Sequence, residues 1–167
     1  YEHTKVFNGN HYVGRVRDFD NASYAQIDEE KIKKKLIFRY MYLLTPQNRK
    51  VQSMLKLAQL LKENGIEAVF YITPVDFQTG LKYLGPDFFK RVSENTHLIS
   101  SLLNEKSIQL LDLSFSLPSR HFTWHEDSDQ LYPNEHLQFL GRMFVVKSLL
   151  ERTVLEKYYS SRKIWQD

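Results

Sequence analysis

Residues 64–74 are Asn-Gly-Ile-Glu-Ala-Val-Phe-Tyr-Ile-Thr-Pro, and this stretch decides the fold class. The Asn-Gly pair is typical of the C-terminal end of a helix. The β-branched and aromatic run over 66–72 then predicts a short buried strand, and Thr73-Pro74 ends that strand. A helix that leads directly into a buried strand is typical of an α/β protein.

The segments on both sides of this strand continue the alternation of helix and strand. Strands that alternate with helices predict a parallel sheet with right-handed connections and helices on both faces. We therefore expect an α/β fold with a three-layer α/β/α, flavodoxin-like arrangement and a mostly parallel sheet. The spacing of apolar residues predicts helices over 28–43, over 45–64 with Thr45 as N-cap, from Gly85-Pro86 onward and over 136–157, and a second strand over 108–113. The same spacing places Phe89 and Val92 on the inward face of the third helix, and Leu140 and Val145 on that of the last.

The predicted sheet is incomplete, because only two strands are clear and two strands do not form a stable sheet by themselves. Either residues 1–27 contain a third strand or the rest of the sheet lies outside this chain. Residues 1–27 have no clear period and carry turn signals. We therefore predict an irregular N-terminal segment over 1–27, an α/β domain over 28–157 and a tail over 158–167.

Composition narrows the possible functions. The 167 residues suit one domain, and the net charge of +3 gives no argument for a nucleic-acid partner. The basic run over 31–35 follows three acidic residues, which is typical of a solvated helix face. The absence of cysteine excludes disulfides and thiolate catalysis. No apolar run approaches the ~20 residues of a membrane span, and no signal peptide is visible.

A long polar and aromatic segment over 114–135 follows the second predicted strand and is predicted to be a loop. Ligands of open α/β sheets bind beyond the carboxyl ends of the strands, and long loops in compact domains are usually functional or mobile. This segment leads to His136, at the predicted start of the final helix. We therefore expect a functional site at this edge of the sheet.

Two blocks around this edge resemble the SGNH/GDSL hydrolases. Residues 110–113, Leu-Leu-Asp-Leu, match a family strand of the type apolar-apolar-Asp-apolar, and residues 136–141, His-Leu-Gln-Phe-Leu-Gly, are similar to the last catalytic block. Residues 70–74, Phe-Tyr-Ile-Thr-Pro, resemble the family strand that precedes this block by one β-α unit. Their continuation as Thr-Pro-Val over 73–75 is similar to strands in the branch of the superfamily that modifies cell-envelope polymers. The likeness covers roughly residues 46–157 and implies an SGNH-like esterase or O-acyltransferase.

The resemblance assigns His136 as the general base. A serine hydroxyl is a poor nucleophile at neutral pH, and an imidazole within hydrogen-bond reach takes its proton and later returns it to the leaving group. A carboxylate on the other ring nitrogen fixes the tautomer. The family acid would stand at Pro133, so another acid must replace it. Asp129 is our preferred candidate, and Asp127, Glu126 and Glu135 are alternatives.

Further expectations follow from the same resemblance. Asn10 would be the oxyanion donor, with Asn8 as an alternative. However, Asn-Gly-Asn over 8–10 is a common turn sequence, and we expect these residues to form a turn before we expect them to bind an oxyanion. Gly141 would let the last helix pack closely against the sheet. The substrate would be an acylated carbohydrate, a cell-envelope polymer or a lipid-linked compound, in an extracytoplasmic or cell-envelope location. We expect no cofactor and no metal, since a site around His121 is a minor alternative.

The sequence departs from the family in a second respect, because no Gly-Asp-Ser block follows an initial strand. The first hypothesis is that the nucleophile belongs to a part of the protein that precedes residue 1, because the sequence begins with Tyr1 and not with methionine. The second is that the chain is a non-catalytic binding or interaction module that keeps the fold.

Overall fold

The computed structural model describes residues 4–7, 12–18, 26–27, 29–127 and 130–155, and within them the side chains of 29–123 and 135–153. The chain is α/β, mainly helical with two small sheets, which confirms the predicted class. The helices are α1 (Glu29–Tyr40), α2 (Arg49–Glu63), α3 (Phe77–Leu84), α4 (Pro86–Asn104) and α5 (Phe139–Leu150). The strands are β1 (Thr4–Phe7), β2 (Tyr12–Asp18), β3 (Gln26–Ile27), β4 (Val69–Ile72), β5 (Gln109–Asp112), β6 (Phe122–Asp127) and β7 (Gln130–Leu137).

The strands β4 and β5 form a parallel pair, with Val69 opposite Gln109 and Ile72 opposite Asp112. The connection between them contains the helices α3 and α4, as expected for a helical crossover between parallel strands. The other five strands form a second sheet in the order β1-β2-β6-β7-β3, in which only the β3–β7 pair is parallel. The strands within residues 1–27 thus join this second sheet, and among the described residues none pairs with β4 or β5.

The segment 114–135 differs from its prediction as a loop. A 3-10 turn (Ser119–His121) leads into β6, and β6 and β7 form an antiparallel hairpin. The reason is that polar residues at the start of β6 alternate with the aromatic Phe122 and Trp124, and aromatic residues favour strands. The prediction weighed polarity more heavily than alternation. The last helix also begins later than predicted, at Phe139, and is followed by a π-helical turn (Glu151–Leu155).

Helix ends follow local chemistry. The helix α2 begins after Asn48, whose side-chain Oδ1 accepts a hydrogen bond from the Lys50 backbone N–H at 3.0 Å. The predicted cap at Thr45 is therefore wrong, and Thr45 instead starts a turn in which its carbonyl accepts from the Asn48 N–H. Gly85 joins α3 to α4 with a φ of +69°, a conformation that glycine adopts without strain.

Two groups of apolar side chains form the core. One lies between α1, α3 and α4 (Ile32, Leu36, Val75, Tyr83, Phe88, Val92), and the other between α2, α4 and β5 (Val51, Leu55, Ala58, Leu103, Ile108). Phe88 is fully buried in the first group, whereas Phe89, which was predicted to face inward, is 46% exposed and stacks on Phe115. In α5, Val145 is buried as predicted but Leu140 is exposed.

Candidate functional site

The candidate site lies where β4 and β5 end. Beyond the two strands, the Leu113 N–H donates to the Ile72 carbonyl at 3.2 Å and the Val75 N–H donates to the Ser114 carbonyl at 2.9 Å. The pairing of the strands thus continues into the segments that follow them. It brings Asp76, at the start of α3, to the carboxyl edge of the sheet, where α/β proteins bind ligands.

Asp76 is buried and accepts three hydrogen bonds. Its carboxylate receives the Thr79 backbone N–H at 3.1 Å, the Thr79 hydroxyl at 2.7 Å and the hydroxyl of Ser119. The Ser119 N–H in turn donates to the side-chain oxygen of Gln78 at 2.8 Å. An aspartate that caps a helix is readable from sequence, but nothing in the sequence indicates its link to Ser119. The cluster ties the start of α3 to the 3-10 turn.

A second polar group connects the end of α1 to β7. The Tyr40 hydroxyl donates to Glu135 Oε1 at 2.7 Å, and an Arg39 guanidinium nitrogen lies 2.9 Å from the same oxygen. Burial, followed by the negative charge of Glu135, raises the pKa of Tyr40 well above its usual range. The tyrosine therefore stays protonated and remains a donor. Tyr40 and Glu135 line a cavity of about 10 Å³ together with Asp76, which is too small for an ester substrate.

His136 follows Glu135 on β7 and is exposed. It was predicted at the start of the final helix, but it lies in a strand that ends shortly before α5. Its backbone carbonyl accepts a hydrogen bond from the Thr123 hydroxyl at 3.1 Å. The exposed imidazole is accessible to a molecule at the surface, which is a requirement for a general base that acts on a bound substrate.

The described part of the structure places only one of the predicted partners of His136, the acidic residue Glu135, beside it. Glu135 is adjacent, but its carboxylate is bound by Tyr40 and Arg39 of α1. Asp129 and Asn10 lie outside the described residues, and so do the side chains of Glu126 and Asp127. The pairing of His136 with an acid and the oxyanion role of Asn10 therefore stay predictions.

Gly141 lies in a close contact between α5 and its neighbours. A Cβ atom at this position would come within 3.0 Å of the His121 carbonyl oxygen and 3.3 Å of the Leu137 Cβ. The close approach that was expected at Gly141 is thus present, against the 3-10 turn and the end of β7. The His121 carbonyl also accepts from the Gln138 N–H at 2.8 Å. These contacts fix the position of α5 directly after His136.

The two serines that follow β5 have structural partners. The Ser114 hydroxyl is buried and donates to Asp112, while the Ser116 hydroxyl donates to the Leu113 carbonyl at 2.8 Å. Both belong to the segment over 114–135 that was predicted to be a loop. Neither is presented by a tight strand-to-helix turn of the kind that exposes a catalytic serine.

A larger, open groove of about 540 Å³ runs along α1, lined by Glu30, Lys31, Lys34, Lys35, Phe38 and Arg39. Four of these residues are basic, and the Phe38 side chain is exposed. Among the side chains that the structure describes, no group of three histidine or acidic residues is arranged to hold a metal. None of the described helices is long and apolar enough to cross a membrane.

Comparison with known proteins gives no relative from which a function could be transferred. No protein-family model, no curated protein and no solved structure matches this chain significantly.

Proposed function

We propose that this chain is the portion of an SGNH-like esterase or O-acyltransferase that supplies the general base, His136. One observation carries the proposal. The exposed His136 directly follows Glu135, whose side chain shares a small cavity with Asp76 at the carboxyl edge of β4 and β5. This is the edge at which open α/β sheets bind their ligands, and the order of strand, helix, strand and histidine is that of the resemblance.

The proposed chemistry is acyl transfer. His136 would take the proton of a serine hydroxyl as it attacks an ester carbonyl, and would return the proton to the leaving alcohol. Asp129 is the proposed acid on the other ring nitrogen, and Asn10 the proposed donor to the oxyanion. By the resemblance, the substrate is an acylated carbohydrate, a cell-envelope polymer or a lipid-linked compound in the cell envelope.

The proposal includes a three-layer, flavodoxin-like arrangement in which β4 and β5 belong to a larger parallel sheet. Parallel sheets are normally covered on both faces, and a pair of strands is not stable by itself. Two features support this part of the proposal. Tyr71 on β4 is 43% exposed, and α5 carries a series of exposed apolar side chains (Phe139, Leu140, Met143, Phe144, Val146, Leu150).

The alternative is a non-catalytic binding or interaction module that keeps this fold. One observation favours it. Pro133 occupies the position of the family acid, and the nearest carboxylate in sequence, that of Glu135, is bound by Tyr40 and Arg39. That carboxylate is therefore held by α1, whereas the family mechanism requires an acid on the imidazole.

A serine-reactive fluorophosphonate probe separates the two functions. On the natural full-length protein, the catalytic reading predicts covalent labelling that is strongly slowed by His136→Ala. His97→Ala is the matched control, because His97 is also exposed but lies on α4, and it should label at the wild-type rate. Full-length protein that does not label would contradict the catalytic proposal and favour the binding module.

A further inference from the structure

The backbone of Glu135 has an unusual conformation for a residue in a strand. Its φ is +64°, in the left-handed region, and Ser107 is the only other described non-glycine residue with a positive φ. Ser107 lies in the turn after α4, where this conformation is common, whereas Glu135 lies within β7. A left-handed residue with a side chain is strained and persists only when its surroundings hold it.

The side chain of Glu135 has the contacts that can hold this conformation. Its Oε1 atom accepts from the Tyr40 hydroxyl at 2.7 Å and lies 2.9 Å from an Arg39 guanidinium nitrogen. Both donors belong to the last turn of α1. The Tyr40 ring is itself fixed, because it packs edge-to-face on the buried ring of Phe88 with 5.3 Å between the centroids. Glu135 is therefore attached to the rigid core of the protein.

The residue held in this way is the one before His136. A change at the φ and ψ angles of Glu135 rotates the following peptide and with it the direction of the next side chain. The peptide after His136 is held as well, since its carbonyl accepts from the Thr123 hydroxyl at 3.1 Å. The backbone at His136 is thus anchored on one side by α1 and on the other by β6.

We propose that Tyr40 and Arg39 are positioning residues for His136, which they orient by holding the carboxylate of Glu135 and, through it, the left-handed backbone of this residue. This inference rests on the proposed function of His136. It also gives Glu135 a role other than the acidic partner of the imidazole. The expected effect is on the orientation of the imidazole and not on substrate binding.

The test compares Tyr40→Phe with Tyr42→Phe in the natural full-length protein. Tyr40→Phe removes the donor hydroxyl and keeps the ring that packs on Phe88, whereas Tyr42 is a half-exposed tyrosine of the same segment. For an acyl-ester substrate, we expect Tyr40→Phe to lower kcat about 10- to 100-fold, because small displacements of a catalytic group have effects of this size. KM should stay the same, and Tyr42→Phe should leave both constants unchanged.

A second measurement keeps this inference separate from the proposed function. The backbone NMR shifts of Glu135 and the ring shifts of His136 report the conformation without any turnover, and Tyr40→Phe should change both. Arg39→Met, which removes the other donor and keeps a long unbranched side chain, should change them in the same direction. Unchanged shifts in both variants would overturn the positioning role. If the shifts change but His136→Ala retains full turnover, the proposed function fails while the contact from α1 stands.

The route of the effect is tested by combining substitutions. If Tyr40 acts through Glu135, then Tyr40→Phe should have no further effect on kcat once Glu135→Ala is in place. Additive losses in the double variant would show that Tyr40 acts on the site in another way and would contradict the inference.

Discussion

The contact between Gly80 and Phe88 gives a prediction whose size follows from the structure. A Cβ atom on Gly80 would lie 2.2, 2.3 and 2.5 Å from three atoms of the Phe88 ring, far inside van der Waals contact. The ring is fully buried among apolar side chains, so it has little room to move. Overpacking of this kind costs about 1–3 kcal/mol. Replacing a helical glycine by alanine otherwise stabilises by about 0.5–1 kcal/mol.

Because three ring atoms lie within 2.5 Å, the overpacking cost falls in the upper half of that range, about 2–3 kcal/mol. After the gain of about 1 kcal/mol is subtracted, the net effect of Gly80→Ala is a loss of about 1–2 kcal/mol in the free energy of unfolding. For a chain of this length it corresponds to a fall of roughly 2–8 °C in Tm. Urea denaturation followed by circular dichroism measures the loss, and an unchanged m-value shows that the folded state stays compact. In a Phe88→Leu background, which shortens the ring, Gly80→Ala should cost much less. A Gly80→Ala protein as stable as the wild type would refute this account of the packing between α3 and α4.

Three other substitutions test the contacts around the candidate site. Asp76→Ala leaves three donors without their buried acceptor and should lower the free energy of unfolding, measured by urea denaturation, by about 2–4 kcal/mol. Asn48→Ala, at an exposed cap, should lower it by only about 1 kcal/mol. Equal losses in the two variants would contradict the buried cluster around Asp76. Gly141→Ala should lower Tm, since its Cβ would press on the His121 carbonyl at 3.0 Å, and an unchanged Tm would show that α5 can shift freely. Burial, followed by the charge of Arg120, lowers the pKa of His121. The unfolded chain then binds this proton more tightly, so stability should fall as the pH drops below about 6.5. His121→Gln should remove this part of the pH dependence, and the same dependence in the variant would exclude His121 as its source.

The helices and the parallel strands could be predicted because their signals are local. The Asn-Gly pair over 64–65 and Gly85-Pro86 mark helix boundaries by their own backbone preferences, and the structure has the boundaries there. The inward face of α4 was predicted with an error of one position, at Phe88 and Phe89. Helical periodicity defines a face about two residues wide, and tertiary packing decides which of two adjacent rings is buried.

The second sheet could not be predicted from the same signals. The pairing of β2 with β6 joins segments that are far apart in sequence. The periodicity of apolar residues along one segment gives no information about which distant segment it pairs with. The hairpin of β6 and β7 was hidden by its polar composition, because its alternation of polar and aromatic residues is short and polar residues are also typical of loops.

Within the candidate site, the sequence indicated His136 but not what holds it. The contact between Tyr40 and Glu135 spans 95 positions, and neither residue stands in a motif that would connect them. Ser119 was likewise not expected to donate to Asp76. Side chains that meet only through the tertiary fold leave no local pattern, so a motif can predict the reacting group but not the residues that orient it.

Turnover of an acyl ester by the natural full-length protein tests the central claim most directly. The substrate would be an O-acetylated carbohydrate, and the measured quantity is the rate of acetate release by the wild type, by His136→Ala and by His97→Ala. If His136 is the general base, His136→Ala lowers kcat by about 10²- to 10⁴-fold, while His97→Ala retains the wild-type rate. Equal turnover by the wild type and His136→Ala would contradict the claim.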